Sequence, residues 1–104
     1  MKYVVAIVPG AALSAVTEQL GRAEIYRLTV SDVEVFDPTT SDPDSGHGRL
    51  RLEVAVNDDF LQPAIDAFRA VESAHPDFES FWVRVLPLDE AVRIRTGETG
   101  SGAI

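Results

Sequence analysis

Two arginines near the end of the chain have the types and spacing of an anion site. Arg93 and Arg95 lie two positions apart in the stretch VRIRTGETG (92–100). In a β-strand, side chains at i and i+2 lie on the same face. A strand here would direct both guanidinium groups to one place and turn Val92 and Ile94 towards the core. Because a guanidinium group binds oxyanions through forked hydrogen bonds, the spacing predicts that the pair binds an anion.

The composition limits the class of protein. With 104 residues and 45% apolar content, the chain predicts one domain, residues 1–104, with one modest core. Its net charge of −8 argues against a nucleic-acid-binding protein, because affinity for phosphate backbones is mostly cationic. The absence of cysteine excludes disulfides and thiolate chemistry. No apolar segment is long enough to span a bilayer, and Pro9 interrupts the signal-like first segment. We therefore expect a cytoplasmic protein.

The hydrophobic patterns predict the elements that hold the arginine pair. A β-branched run at 2–8 predicts a strand buried on both faces. Apolar residues three and four apart predict a helix from Leu13 that ends at Gly21. The other predicted elements are strands over 24–36 (with a bulge or bend near Ser31), 49–57 and 80–86, and a helix that begins at Asp58 and Asp59. The order β-α-β-β-α-β is that of the ferredoxin-like α+β fold, with a four-stranded antiparallel sheet and two helices on one face.

Residues 37–49 are the longest stretch without an apolar side chain and predict a loop. Its aspartates, Asp37, Asp42 and Asp44, do not have the spacing of an EF-hand, and His47 has no spaced set of further ligands. We therefore predict no metal site.

The last twenty residues, VLPLDEAVRIRTGETGSGAI (85–104), closely resemble the C-terminal signature of PII signal-transduction proteins. Weaker similarity extends over nearly the whole chain, through YVVAIV, LSAVTEQL, LTVSDVEVF and LEVAVNDD. Proteins of that family are regulatory trimers with adenine-nucleotide sites in clefts between subunits. The resemblance therefore implies a non-catalytic homotrimer, with 37–49 as a short counterpart of the family's long loop and 93–104 as a C-terminal loop and tail.

The resemblance also implies roles for individual residues. Arg93 and Arg95 would contact nucleotide phosphates, Thr29 would lie against the adenine, and Ile7 and Ala55 would help wall the base. Strand alternation lets only one of two adjacent aromatic residues stack on the base, and we assign that role to Phe81 rather than Trp82. The predicted nucleotide-binding set is Ile7, Thr29, Ala55, Phe81, Arg93, Arg95, Thr96 and Gly97. Arg49, at the place of a family lysine, is the predicted anion-binding residue, whereas Arg51 and Glu53 are predicted to form an ion pair or a trimer contact.

The chain departs from the family pattern in two segments. Residues 37–49 contain no tyrosine, which excludes uridylylation at the usual position, and lack the glutamine that helps hold magnesium and 2-oxoglutarate. The sequence HPDFESFWVR (75–84) replaces a glycine-rich phosphate loop, so triphosphate affinity should suffer most. These departures resemble carboxysome-associated and bicarbonate-linked PII-like proteins. This resemblance implies binding of ADP or AMP, with ATP as an alternative, together with a small anion such as bicarbonate, and control of a bicarbonate transporter or another carbon-metabolism protein.

Three other interpretations are open at this stage. A small nucleotide or acyl phosphatase on the same fold would have to use Thr96, Glu98 or His47 as nucleophile or base. The chain could equally be a nitrogen-regulatory PII variant, or a structural trimer with a vestigial site. Glu98 would pair either with one of the arginines or with the ligand.

Overall fold

The strands and helices follow one another along the chain in the predicted order. The computed structural model describes residues 1–36 and 48–104. Within them lie β1 (Lys2–Pro9), α1 (Leu13–Arg22), β2 (Thr29–Val33), β3 (Arg49–Val56), α2 (Asp58–Ala74) and β4 (Trp82–Pro87). Short 3-10 turns span Gly10–Ala12 and Gly100–Ala103. The order β-α-β-β-α-β confirms the ferredoxin-like α+β fold.

The described strands form one antiparallel sheet in the order β2-β3-β1-β4. β1 lies inside the sheet, but in the chain only one of its faces is buried: Val4, Ala6 and Val8 are buried, whereas the residues between them are partly exposed, contrary to the prediction of burial on both faces. Residues that pair across an antiparallel ladder share a face, so Tyr3 lies beside Ala55 and Leu86. We call the face of the sheet that carries no helix the open face. Its residues on the paired strands are Tyr3, Val5, Ile7, Pro9, Thr29, Ser31, Val33, Arg49, Arg51, Glu53, Ala55, Trp82, Arg84 and Leu86.

The core lies between the other face of the sheet and the two helices. α1 contributes Val16 and Leu20, and α2 contributes Phe68 and Val71, which recur at the three- and four-residue spacing of one helix face. The buried sheet residues are Val4, Ala6, Val8, Leu52, Val54 and Val56. The strict alternation of these strands therefore separates a buried face from an open one.

Helix α1 ends one residue later than predicted, and Gly21 is not its terminator. The N–H of Glu24 donates to the Gly21 carbonyl (3.0 Å), and the N–H of Ile25 donates to the Leu20 carbonyl (2.9 Å). This is the hydrogen-bond pattern of a Schellman motif, which needs a residue of positive φ. Glu24 takes that position, with φ 63°. Ile25 is buried beyond it, so the chain enters the second strand with an anchored apolar residue.

The second strand is shorter than predicted and has no bulge. Only Thr29–Val33 of the predicted 24–36 segment is in the sheet, and its register against β3 is continuous from Thr29 opposite Glu53 to Val33 opposite Arg49. The change of apolar phase near Ser31 instead places Val33 on the open face. Of the two predicted irregularities, the continuous register excludes the bulge, and the strand ends at Val33, shortly after the pattern changes.

The predictions for residues 37–47, including their aspartates and His47, lie outside the described residues. Within 1–36 and 48–104, no three His, Cys, Asp or Glu side chains are grouped so that they could hold a metal ion. In the same ranges no helix has the length and apolar content needed to cross a membrane.

Candidate functional site

A cleft of about 250 Å³ lies beside the start of the edge strand β2. Thr29 and Ala55, from neighbouring strands, both line it, so the structure brings two of the predicted base-contacting residues together. The other lining residues are Tyr3, Arg27, Leu28, Glu53, Val54 and Ile104. Ile7 shares the open face but lies opposite Arg51 and is not part of this cleft as the described residues form it.

A second cleft, of about 260 Å³, continues from the first. Ile25 and Phe60 form an apolar part of its wall, and Glu24 and Tyr26 lie at the same cleft. The residues that line both clefts are Arg27, Val54, Ala55 and Ile104. We call the two clefts together the edge groove. An apolar wall next to a few polar groups is typical of a small-molecule site.

The arginine pair lies in a turn rather than in a strand. β4 ends before this segment, and Val92 pairs with Thr99 in an isolated bridge. Val92 is 52% exposed and Ile94 is 90% exposed, so the prediction that they face the core is wrong. The alternation argument therefore gives no reason for Arg93 and Arg95 to point at one place.

The two arginines have different environments. Arg93 is partly buried, and its Nε and Nη2 donate to the main-chain oxygens of Ala103 (3.2 Å) and Ile104 (3.0 Å). Because Ile104 lines both clefts, these bonds connect Arg93 to the edge groove. Arg95 is exposed. Arg95 is therefore the more accessible cation of the pair, and Arg93 is engaged by the C-terminal tail.

The residues after the pair close the turn. The Gly97 N–H donates to the Arg93 carbonyl (2.8 Å), and Gly97 has φ 74°, a conformation that favours glycine. The Thr96 hydroxyl donates to Oε1 of Glu98 (2.9 Å) and accepts the Glu98 N–H (3.3 Å). The Glu98 carboxylate thus pairs with Thr96, so neither of its two predicted partners is the one seen.

Arg49 is not poised to bind an anion. Its side chain is 11% exposed and forms an ion pair through Nη2 with Glu79. Nη1 is buried and has no hydrogen-bond partner in the part of the chain that the structure describes. Asp32 and Glu34 line the adjacent cleft of about 300 Å³. A small anion would have to displace Glu79 and approach two more carboxylates, so this geometry disfavours anion binding by Arg49, which stays a prediction. Arg49 instead ties the start of β3 to the segment before β4.

Phe81 lies on the core side rather than in the edge groove. It packs against the hydrophobic core, and its ring stacks at 6.5 Å from that of Phe78, which stacks at 4.7 Å from His75. Phe81 does not line either cleft of the edge groove, and its stacking on a base stays a prediction. Its N–H donates to Oε2 of Glu72 (2.7 Å), which leaves that amide unavailable to a phosphate. Trp82 is on the open face instead, 42% exposed, with the Arg84 guanidinium 5.9 Å from its ring centre.

A polar network on the open face connects Tyr3, Glu53 and Arg51. The Nε of Arg51 lies 2.7 Å from Oε1 of Glu53, which confirms the predicted ion pair. The Tyr3 hydroxyl donates to Oε2 of the same carboxylate. Sequence analysis missed Tyr3, because its contact depends on the register between β1 and β3. Since Tyr3 and Glu53 also line the edge groove, the network fixes one rim of the candidate site.

This network makes a prediction about proton binding. The hydrogen bond to Glu53, then burial and the negative charge of Glu53, raise the pKa of Tyr3 above its usual value of about 10. We expect Glu53→Gln to lower the Tyr3 pKa towards that value, as measured by 13C NMR of the tyrosine Cζ. The folded protein holds the Tyr3 proton to higher pH than the unfolded chain, so this contribution to stability declines above about pH 10. Glu18→Gln, on exposed helix surface, is the control; an equal change there would contradict the assignment.

Comparison with known proteins supplies the family. The family model described as nitrogen regulatory protein P-II matches residues 1–98. The chain is similar to nitrogen regulatory protein GlnK1 of Methanosarcina mazei, with 36% identity over 115 aligned positions that cover 100% of this chain and 97% of that protein. It is also similar to nitrogen regulatory protein P-II of Azospirillum brasilense, with 31% identity and full coverage of both. The first alignment is longer than the 104 residues of this chain, so this chain lacks residues that the relative carries. With the observed fold and the match over residues 1–98, the chain belongs to the nitrogen regulatory protein P-II family.

Proposed function

We propose that this protein is a homotrimeric sensor that binds an adenine nucleotide in the edge groove and passes nitrogen status to a partner protein. P-II family proteins are regulatory signal transducers without a catalytic step, and so is this chain. The observation that carries the ligand proposal is the meeting of Thr29, Ala55 and the Arg93-held tail at one groove. The phosphatase alternative is not supported by the family.

The chemistry of the groove suits a nucleoside. Ile25, Val54 and Phe60 offer apolar surface for a flat base. Thr29 and Arg27 offer polar groups at the adjoining cleft. Burial of a base against apolar surface and a few oriented hydrogen bonds are the common ingredients of such sites. The acidic surface elsewhere disfavours anions, so the cationic turn beside the groove is the natural place for phosphates.

The open face supports assembly into a trimer, as the family does. Leu86 is 45% exposed and Trp82 is 42% exposed there, in a row with partly buried Tyr3, Val5 and Ile7. An uncovered apolar sheet face of this kind is typical of a protein–protein interface. In a trimer built on this face, Ile7 could reach a site through its position at a subunit boundary rather than within its own chain.

The nucleotide with fewer phosphates suits the described site best. Arg95 is exposed, whereas Arg93 is engaged by the tail. In the segment before β4, the Phe81 amide is bonded to Glu72 and there is no glycine to bring main-chain donors close to a phosphate. We therefore propose ADP or AMP as the main ligand, with ATP weaker.

The names of the relatives indicate which kind of regulation to propose for this protein. Both relatives are named nitrogen regulatory proteins, which supports a nitrogen-linked role. We propose that this role is carried out in the cytoplasm. Bicarbonate binding, a carboxysome link and a bicarbonate-transporter partner stay predictions from the resemblance alone. Arg49, the residue that suggested a small anion, is paired with Glu79, so the described structure lends bicarbonate no support.

Calorimetric titration with AMP, ADP and ATP tests the proposal. We expect saturable binding of ADP or AMP, and Arg95→Ala should weaken it roughly tenfold or more, because a hydrogen bond to a charged group contributes about 1.5–3 kcal/mol. Arg69→Ala is the matched control: Arg69 is exposed on α2, outside the groove, and should leave affinity unchanged.

Two outcomes would count against the proposal. Absence of saturable binding for all three nucleotides would remove the sensor function. Release of inorganic phosphate from bound nucleotide at a rate lost in Thr96→Ala would favour the phosphatase alternative instead.

A further inference from the structure

The guanidinium fork of Arg93 is already occupied. Nε and Nη2, two donors on one edge of the group, bind two successive main-chain oxygens, those of Ala103 and Ile104. A phosphate that approached the same edge would need these two donors. The tail and a phosphate therefore compete for one set of hydrogen bonds.

The tail also lines both clefts of the edge groove. Ile104 lines both clefts, and each cleft alone, at about 250 and 260 Å³, is smaller than the roughly 300–1,000 Å³ typical of small-molecule sites. Ile104 comes from outside the sheet, whereas the other shared lining residues, Arg27, Val54 and Ala55, belong to β3 or to the segment that leads into β2. Displacement of Ile104 would enlarge both clefts at once, towards the volume of a small-molecule site.

The tail, residues 101–104, follows a residue that is fixed by hydrogen bonds, Gly100. The Gly100 N–H is held by the Ala91 carbonyl (2.9 Å) and by Oε1 of Glu90 (2.9 Å). Gly100 has φ 68°, which only glycine adopts at low cost. Beyond it, the described side-chain hydrogen bonds to the tail are those from Arg93. In the described structure, residues 101–104 are thus held by the turn at Gly100 and by the hydrogen bonds from Arg93.

We propose that residues 101–104 compete with the ligand for its site. Ile104 occupies the edge groove while Arg93 binds the tail, and nucleotide binding displaces Ile104 from the groove and the tail from Arg93. The inference rests on the proposed nucleotide function and adds its regulation. The apparent affinity for the ligand is the intrinsic affinity multiplied by the fraction of molecules whose tail is undocked. A partner that binds the released tail would tighten nucleotide binding. By linkage, nucleotide would tighten binding of that partner by the same factor.

Ile104→Ala tests whether Ile104 occupies the groove in competition with the ligand. We expect ADP or AMP to bind about five- to tenfold more tightly than to the unsubstituted protein, since loss of the side chain weakens docking of the tail. The matched control is Ile94→Ala, which removes the same atoms from a side chain that is 90% exposed in the neighbouring turn. Equal affinities of Ile104→Ala and the unsubstituted protein, or weaker binding to Ile104→Ala, would overturn the proposal.

A spin label on the tail gives a second, independent readout. Because the chain has no cysteine, Ser101→Cys provides a single labelling site on an exposed residue. We expect saturating ADP or AMP to increase the mobility of the label, and Arg93→Ala to increase it without nucleotide. Nucleotide binding without a change in the label would overturn the competition but leave the sensor function intact. Absence of nucleotide binding to both the unsubstituted and Ile104→Ala proteins would instead remove the sensor function, and the competition with it.

Discussion

Replacement of Leu86 by glutamate is expected to convert the proposed trimer into monomers. Leu86 lies on the open face beside Tyr3, and in an assembled trimer the side chain would be covered. A carboxylate buried there without a partner would cost several kcal/mol in each subunit. We expect association to weaken by roughly 100-fold or more, at about 1.4 kcal/mol for each factor of ten. Sedimentation velocity over a range of protein concentrations measures the change.

Val85→Glu is the matched control for this experiment. Val85 is the preceding residue of the same strand, with a similar exposure of 42% against 45%, but its side chain points to the opposite face. The control should remain trimeric, which separates the effect of the open face from that of a charge on β4. If Val85→Glu dissociated the trimer and Leu86→Glu left it intact, the interface would lie on the face that carries the helices, which would contradict the prediction. If the nucleotide sites lie at subunit boundaries, Leu86→Glu should also abolish nucleotide binding.

The fold could be predicted because the spacing of apolar residues indicates the type of each element locally. The alternation of β3 and the helical spacing of Leu13, Val16 and Leu20 each report a local period, and local periods survive without knowledge of neighbours. The turn at 92–99 could not be predicted in the same way. Val92 and Ile94 alternate with arginines as strand residues do, yet among the described residues this segment joins no strand of the sheet and folds back on itself around Gly97.

The site was only partly predictable, because its contacts join distant parts of the chain. Thr29 and Ala55 meet since β2 pairs with β3, and the family resemblance carried that information. The Arg49–Glu79 ion pair and the contact of Arg93 with the tail depend on how loops pack, for which the sequence has no period. Ile104 gave no signal at all, since a single apolar residue at the end of a polar segment predicts neither a strand nor a helix.

Replacement of Phe68 by alanine is expected to cost the most stability of any single change considered. Phe68 is 2% exposed and packs in the core between α2 and the sheet. Truncation of a buried phenylalanine leaves a cavity and typically lowers the free energy of unfolding by about 3–5 kcal/mol, against about 5–15 kcal/mol for a whole domain. Urea denaturation at fixed protomer concentration measures it, because assembly makes stability depend on concentration. Phe36→Ala, at a side chain that is 88% exposed, is the control and should change stability by less than about 0.5 kcal/mol. Equal losses in the two variants would mean that the packing of α2 against the sheet does not hold this domain together.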